Sequence, residues 1–205
     1  AVLGGSKIGL VELPLALMNP GETILLPDPG YPDYLSGVTL ARVKLALMTL
    51  TAENNWLPDY TKIKPEVAAA AKLLYLNYPN NPTTAVATPE FYDETIAFAK
   101  AQQIGIVSDF AYGALGFDGQ RPVSFLQQPG AKDVGIELYT LSKTYNMAGW
   151  RLAFAAGNAD MIEAINLIQD HLFVSVFPAI QEAGIEALIG DQTSVPALVD
   201  LYQQR

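Results

Sequence analysis

The chain contains no cysteine, and only one of its 205 residues, His171, is a histidine. The absence of cysteine excludes disulfide bonds, thiolate nucleophiles and metal sites that bind through sulfur. A single histidine is too few for a histidine-based metal site and disfavours a Ser–His catalytic triad. His171 lies near the end of a predicted helix, where it is expected to interact with the helix dipole. We therefore expect no metal site, and His171 is left out of the candidate site.

Charge is also scarce, because charged residues make up 16% of the chain whereas hydrophobic residues make up 50%. This balance is typical of a folded protein with a large core and excludes an intrinsically disordered chain. The net charge of -9 argues against binding to the phosphate backbone of nucleic acids. No apolar run approaches the ~18 residues that a membrane helix needs, and no signal peptide opens the sequence. We expect a cytoplasmic protein that contacts no membrane.

The two ends of the sequence predict a fragment. The first residue is Ala1 rather than methionine, residues 1–3 have the pattern of a strand already under way, and Arg205 falls inside a helical pattern. The length favours one large domain over two. We therefore expect a single domain cut from a longer protein.

Short apolar runs alternate with amphipathic stretches along the chain. The predicted strands are residues 23–26, 73–76, 104–107, 138–141 and 152–156. The predicted helices are residues 89–103, which follow Thr88 as N-cap, 158–172 and 178–189. Brief runs without polar alternation are typical of strands buried on both faces. The pattern predicts an α/β fold with three α/β/α layers and a mostly parallel sheet.

The usual phosphate-binding and nucleophile motifs are missing. The sequence contains no GxGxxG, no GxxxxGK[ST] and no GxSxG, so the dinucleotide-binding, P-loop and hydrolase interpretations lose their main support. Residues 4–7 (GGSK) offer another anion site, because a helix that starts there presents free N–H groups and a hydroxyl. A plain helix cap is the alternative.

The segment after the fourth predicted strand contains Lys143 and Arg151. A lysine amine in a desolvated position is able to form a Schiff base with a carbonyl group. An arginine nearby is suited to clamping a phosphate. Taken alone, each of these residues is more often a surface residue.

Polar and aromatic residues also follow the other predicted strands. Asp109 is suited to holding a ring nitrogen protonated, and its alternative is a turn or cap residue. Tyr112 offers a phenol, and Tyr31 in the segment DPGYP offers a ring for stacking. Asn81 lies in a turn between Asn80 and a proline, where its amide is able to donate to a phenolate oxygen. Each has a structural alternative when it is considered alone.

Together these segments resemble the class I and II pyridoxal-phosphate-dependent aminotransferases of fold type I. Residues 140–151 are similar to the lysine motif of that family, residues 77–83 (NYPNNPT) to its asparagine loop, and residues 109–112 (DFAY) to its D-x-A-Y motif. Residues 28–32 and 5–7 resemble its stacking and phosphate loops. The five motifs occur in family order. The resemblance is strongest to the bacterial branch that includes aspartate-like and N-acetyl-diaminopimelate aminotransferases.

The resemblance implies a role for each candidate residue. Lys143 would form the Schiff base with pyridoxal 5'-phosphate and move the substrate proton, and Asp109 would keep the pyridine nitrogen protonated. Asn81 and Tyr112 would bind the ring oxygen, and Tyr31 would stack on the ring. The phosphate ligands would be Ser6, the backbone at Lys7, Thr140 or Ser142, and Arg151.

The implied function is amino-group transfer between an amino acid and a 2-oxo acid, in a homodimer. Residues 1–205 would be the cofactor-binding large domain, without the N-terminal segment and the C-terminal small domain of the family. Ile8 replaces a usual acidic residue, and Thr84 replaces a usual glycine. Two alternatives remain open: a carbon–sulfur β-lyase, because elimination shares the same carbanion, and a truncated, non-catalytic protein that binds the cofactor weakly or not at all.

Overall fold

The computed structural model, which describes residues 1–205, contains one sheet of seven strands. The strands are β1 (Val2–Leu3), β2 (Thr23–Asp28), β3 (Lys44–Thr49), β4 (Ala71–Asn77), β5 (Gly105–Asp109), β6 (Gly135–Thr140) and β7 (Ala153–Gly157). Their spatial order is β1-β7-β6-β5-β4-β2-β3. Strands β2 to β6 run parallel, whereas β7 runs antiparallel to both β1 and β6. The predicted α/β fold with a mostly parallel sheet is confirmed.

Nine α-helices connect and cover the strands. They are α1 (Ser6–Leu17), α2 (Tyr34–Ala41), α3 (Pro65–Ala70), α4 (Pro89–Gln102), α5 (Ala131–Val134), α6 (Leu141–Thr144), α7 (Ala159–Leu172), α8 (Pro178–Ile189) and α9 (Ser194–Gln204). The predicted N-cap of α4 is confirmed, because Thr88 Oγ1 accepts from the N–H of Phe91 at 3.2 Å. Asn158 caps α7 in the same way, with Oδ1 accepting from the N–H of Met161 at 3.1 Å.

Both faces of the sheet are buried under helices. Along β2, Ile24 and Leu26 belong to the core shared with α1, α2 and α7, whereas Leu25 belongs to the core shared with α4. Successive side chains of a strand point to opposite faces, so a continuous apolar run indicates burial on both. The result is the predicted arrangement of three layers.

Of the two strands outside the five predicted apolar runs, β1 overlaps residues 1–3, which were expected to end a strand, whereas β3 was not predicted. It lies at the edge of the sheet beside β2, and it leaves Leu45 and Leu47 exposed while Met48 is buried. An edge strand covered on one side lacks the uniform burial of its neighbours. Residues 45–48 (LALM) are nonetheless an apolar run as long as those of the predicted strands, so the sequence carried a signal for β3 that the prediction did not include.

Three neighbouring parallel strands end in polar residues at the same edge of the sheet. Asn77 ends β4, Asp109 ends β5 and Thr140 ends β6. The carboxyl ends of parallel strands are where α/β folds bind ligands. None of the helices combines the length and the apolar character that crossing a membrane requires.

Candidate active site

A cavity of about 490 Å³ opens at this edge of the sheet. All ten candidate residues line it, together with Asn77, Ala111 and Ala148: they are Ser6, Lys7, Tyr31, Asn81, Asp109, Tyr112, Thr140, Ser142, Lys143 and Arg151. The structure thus brings together residues that lie as far apart in the chain as α1 and the segment after α6. No group of three or more His, Cys, Asp or Glu side chains is placed to hold a metal ion.

Asp109 is a buried carboxylate whose two oxygens differ. Its side chain is 5% exposed, Oδ2 accepts a hydrogen bond from the hydroxyl of Tyr34 at 3.0 Å, and Oδ1 has no hydrogen-bond partner. Burial raises the pKa of Asp109 to about 6, and the Tyr34 hydroxyl, the backbone N–H of Ala111 and the charge of Lys143 oppose the shift. A buried acceptor without a partner is costly, so Oδ1 is suited to a donor that the protein does not supply.

Asn77 connects two parts of the site that the sequence treats as separate motifs. Its Oδ1 accepts from the N–H of Asn81 at 2.8 Å, and its Nδ2 donates to the carbonyl oxygen of Asp109 at 2.9 Å. This side chain therefore fixes the asparagine loop against the end of β5. The sequence analysis did not assign Asn77 a role, although a polar residue at the end of an apolar run was the available signal.

Lys143 and Tyr112 face each other across the cavity. The Nζ atom of Lys143 lies 5.6 Å from the centroid of the Tyr112 ring, within the range of a cation–π interaction. Burial raises the pKa of Tyr112, the charge of Asp109 adds to this shift, and the nearby amide of Asn81 opposes it. The phenol therefore stays protonated near neutral pH and remains a hydrogen-bond donor.

Lys143 is carried by a helix of one turn, α6, that begins directly after β6. Thr140, the last residue of the strand, is the N-cap of this helix, because its Oγ1 accepts from the N–H of Ser142 at 3.2 Å. The two hydroxyl groups also lie in contact, with Oγ1 of Thr140 2.9 Å from Oγ of Ser142. The strand end and its cap thereby place the amine and two hydroxyls in one cavity.

The N-terminus of α1 forms a positive corner of the cavity. No side chain caps the helix, and its first turn contains no acidic residue. The predicted strand-to-helix junction is present, with Gly5 as the N-cap, and the first turn leaves its N–H groups without a side-chain acceptor. Arg151 lies against the same backbone, since a Cβ atom at Gly5 would overlap its guanidinium. An open helix N-terminus beside an arginine is suited to a phosphate.

Lys7 and Tyr31 complete the wall of the cavity beside this corner. The Nζ atom of Lys7 forms an ion pair with Asp33 at 2.6 Å and lies 5.8 Å from the centroid of the Tyr31 ring. The charged end of the Lys7 side chain thus contacts the loop between β2 and α2. The part of Lys7 that is suited to an anion in the cavity is its backbone N–H, which lies in the first turn of α1. Tyr31 presents an aromatic ring to the same space.

Comparison with known proteins identifies the family of the chain. A family model described as "Aminotransferase class I and II" matches residues 1–205. The chain belongs to the class I and II aminotransferase family. The resemblance that the five motifs carry is thereby confirmed.

Several members of the aminotransferase family are closely similar in sequence. The chain is 63% identical over 205 residues to the L-glutamine–4-(methylsulfanyl)-2-oxobutanoate aminotransferase of Bacillus subtilis. The match covers 100% of this chain and 52% of that protein. The chain is 48% identical over 201 residues to the LL-diaminopimelate aminotransferase of Halothermothrix orenii, covering 98% and 52% respectively. The chain spans about half the length of the curated relatives it matches.

Solved structures show the same fold. Substrate-bound BacF from Bacillus subtilis superposes with a TM-score of 0.97 at 53% identity, over 100% of this chain and 52% of that one. An aminotransferase from Staphylococcus aureus gives a TM-score of 0.95 at 46% identity, over 100% and 54%. The sheet and its helices therefore have the fold type I arrangement that the resemblance implies.

Class I and II aminotransferases use pyridoxal phosphate, and the residues of the cavity fit that group. The open end of α1 and Arg151 suit its phosphate, and the unpartnered Oδ1 of Asp109 suits a protonated ring nitrogen. The amine of Lys143 lies in the same cavity and suits its aldehyde. The phosphate, the ring nitrogen and the aldehyde of the cofactor thus each find a residue of matching chemistry.

Proposed function

We propose that this chain binds pyridoxal phosphate in the cavity at the ends of β4, β5 and β6, and that the protein transfers an amino group between an amino acid and a 2-oxo acid. The observation that carries the proposal is the buried, unpartnered Oδ1 of Asp109, which shares one cavity with the amine of Lys143 and the open end of α1. Family membership supports the reaction class.

Five groups would bind the phosphate at one end of the cavity. They are the hydroxyls of Ser6, Thr140 and Ser142, the backbone N–H of Lys7, and the guanidinium of Arg151. These donors are either charged or part of a helix N-terminus, so each favours an anion over a neutral group. Arg151 Nη1 also donates to the carbonyl oxygen of Ala148 at 2.7 Å, which holds the guanidinium in place.

The remaining residues would hold the ring and act on protons. Asp109 Oδ1 would accept from the ring nitrogen, Asn81 and Tyr112 would donate to the ring oxygen, and Tyr31 would pack on the ring face. When bound, pyridoxal phosphate supplies an electron sink that stabilises negative charge on the substrate carbon. Lys143 Nζ would take the proton from that carbon and return it, because its amine lies in the cavity 5.6 Å from the centroid of the Tyr112 ring, beside the residues that would hold the cofactor ring.

We further propose that residues 1–205 form the cofactor-binding large domain of the protein. All of the cofactor contacts named above come from this chain, and the relatives that it matches are about twice as long. A homodimer and a cytoplasmic location stay predictions from the family resemblance. Exposed apolar residues between α7 and α8, Phe173, Val174 and Phe177, support a partner surface there.

An assay with two substrates tests the proposed reaction. Purified protein with pyridoxal phosphate, an amino donor such as glutamine and an apolar 2-oxo acid is expected to form the amino acid that corresponds to the oxo acid. Lys143→Ala is the control that should abolish the product. Release of a thiol and pyruvate from a cysteine conjugate, independent of any oxo acid, would instead indicate the β-lyase. Wild-type protein that neither binds pyridoxal phosphate nor forms either product would contradict the proposal.

A further inference from the structure

Tyr34 makes a buried hydrogen bond to the carboxylate at the centre of the candidate site. Its hydroxyl donates to Asp109 Oδ2 at 3.0 Å, although the two residues lie 75 positions apart in the chain. Tyr34 is 1% exposed and does not line the cavity. It therefore contacts Asp109 from behind and has no access to a bound molecule.

The ring of Tyr34 is held between two other tyrosines. Its centroid lies 5.6 Å from that of Tyr31 and 5.3 Å from that of Tyr75, and both pairs meet edge to face at 79° and 84°. Tyr75 is itself anchored, because its hydroxyl donates to the carbonyl oxygen of Leu10 at 2.9 Å. Aromatic pairs of this geometry restrict ring movement, so the Tyr34 hydroxyl is held in place before any ligand binds.

The hydrogen bond gives the two carboxylate oxygens different tasks. Oδ2 is occupied by Tyr34, whereas Oδ1 has no partner. A hydrogen bond donated to a carboxylate favours its charged form, and burial disfavours that form. We propose that Tyr34 is a positioning residue, which keeps Asp109 ionised and leaves Oδ1 free to accept from the protonated ring nitrogen of pyridoxal phosphate. This inference rests on the proposed function.

Few charged groups other than this hydrogen bond influence the ionisation of Asp109. Lys143 is the charged residue whose field acts on Asp109, and it favours the ionised carboxylate. Tyr75 and Tyr112 also face Asp109, but burial raises the pKa of each phenol, so both are neutral near neutral pH. Burial likewise raises the pKa of Tyr34 far above its ordinary value, which keeps its hydroxyl a donor throughout the titration of Asp109.

The test compares Tyr34→Phe with Tyr75→Phe. Both variants remove one hydroxyl from a fully buried tyrosine, but only Tyr34 donates to Asp109. The readout is the pKa of Asp109 in the cofactor-free protein, from a ¹³C-carboxyl NMR titration assigned with Asp109→Asn. Tyr34→Phe is expected to raise this pKa by about one unit or more, because a hydrogen bond to a charged group is lost. Tyr75→Phe is expected to leave it at the wild-type value.

A second measurement follows the affinity for pyridoxal phosphate in the same variants. At a pH where Asp109 is charged in the wild type and partly protonated in Tyr34→Phe, affinity is expected to fall several-fold in Tyr34→Phe and not in Tyr75→Phe. Equal shifts in both variants, or no shift of the pKa in Tyr34→Phe, would overturn the role of Tyr34. Wild-type protein that binds no pyridoxal phosphate would overturn the proposed function instead, so the two failures are distinct.

Discussion

The guanidinium of Arg151 occupies the space that a side chain at Gly5 would need. A Cβ atom added to Gly5 would overlap Nη2 and lie 2.8 Å from Cζ, and the backbone of Gly5 has a φ of +102°. Arg151 itself has a φ of 53°, in the left-handed region. Two unusual backbone conformations thus bring an arginine against the N-terminus of α1, which concentrates positive potential where a phosphate would bind.

Gly5→Ala is expected to damage phosphate binding in particular. The new methyl group would displace the guanidinium, so affinity for pyridoxal phosphate should fall about tenfold or more, as for the loss of a charge-assisted hydrogen bond. The matched control is Gly21→Ala: Gly21 also has a positive φ, +89°, but no atom lies within 4 Å of its Cβ position. Both variants should lose about 1–3 kcal/mol of stability from backbone strain.

Titration with the cofactor and thermal melts of both glycine variants separate these effects. Only Gly5→Ala should bind pyridoxal phosphate more weakly. Equal affinities in Gly5→Ala and wild type would show that the contact between Arg151 and the helix end is not needed for binding.

Lys143→Ala is expected to abolish a specific covalent adduct with pyridoxal phosphate. Borohydride reduction of the wild-type mixture should fix the label on Lys143, and peptide mapping identifies the labelled lysine. Non-covalent binding should persist in part, because Ser6 and Arg151 are unchanged. Lys62→Ala is the control, since Lys62 is exposed and pairs only with Asp59 at the surface. A label spread over surface lysines, with Lys143 unlabelled, would contradict the assignment.

Asp109→Asn is expected to weaken pyridoxal phosphate binding in a pH-dependent way. The pKa of Asp109 is raised to about 6, so the carboxylate is charged above that pH and its attraction for a ring cation is lost as the pH falls through it. The ratio of wild-type to variant affinity should reach about tenfold or more above about pH 6, where the carboxylate is charged and the ring nitrogen still protonated, and approach one at low pH. Taking the ratio cancels the titration of the cofactor phosphate, which is common to both proteins. A ratio that stays constant with pH would count against Asp109 as the ring-nitrogen partner.

Much of the fold follows from local sequence signals. Five strands were predictable because a strand buried on both faces is a short apolar run. Three helices were predictable from the N-cap Thr88, from apolar residues at helical spacing in residues 158–172, and from the break at Pro178. Strand β3 was not predicted, although residues 45–48 (LALM) are an apolar run, and the sequence does not show that β3 is buried on one face only, with Leu45 and Leu47 exposed. Burial of a single strand depends on its neighbours in the sheet, and the sequence does not state the strand order.

The residues of the candidate site also divide into those that sequence motifs predict and those whose contacts depend on the packing of the fold. Ten of the thirteen lining residues were predicted from the resemblance of their segments to the family motifs, and parallel strands present those segments at one edge. The contact between Tyr34 and Asp109 was not predictable. It arises from the packing of α2 against the sheet, and Tyr34 has no local feature that separates it from any other core tyrosine.

Two buried carboxylates outside the cavity, Glu12 and Glu137, differ in how well they are satisfied. Glu12 is 3% exposed and accepts one hydrogen bond, from Nε2 of Gln169 at 2.9 Å, while its Oε1 has no partner. Glu137 is 7% exposed and accepts from the hydroxyl of Ser124 at 2.7 Å and from the N–H of Phe125 at 2.8 Å. Replacement by glutamine is therefore expected to have different consequences at the two positions.

Glu12→Gln is expected to gain stability relative to the wild type as the pH rises. Burial raises the pKa of Glu12 above its ordinary value, and the bond from Gln169 opposes the shift. The folded wild type then holds a proton that the unfolded chain has released, so its stability falls as the pH rises from the unfolded pKa to the folded one. The amide has no such proton, so the difference in free energy of unfolding should grow as the pH rises from the ordinary pKa of a glutamate to the raised pKa of folded Glu12. Glu137→Gln is the contrast: both carboxylate oxygens accept hydrogen bonds, whereas an uncharged amide offers one acceptor oxygen, so this variant should lose about 1–3 kcal/mol at neutral pH. Urea denaturation across a pH series measures both, and a pH-independent difference for Glu12→Gln would mean that the carboxyl at position 12 titrates alike in the folded and unfolded chains.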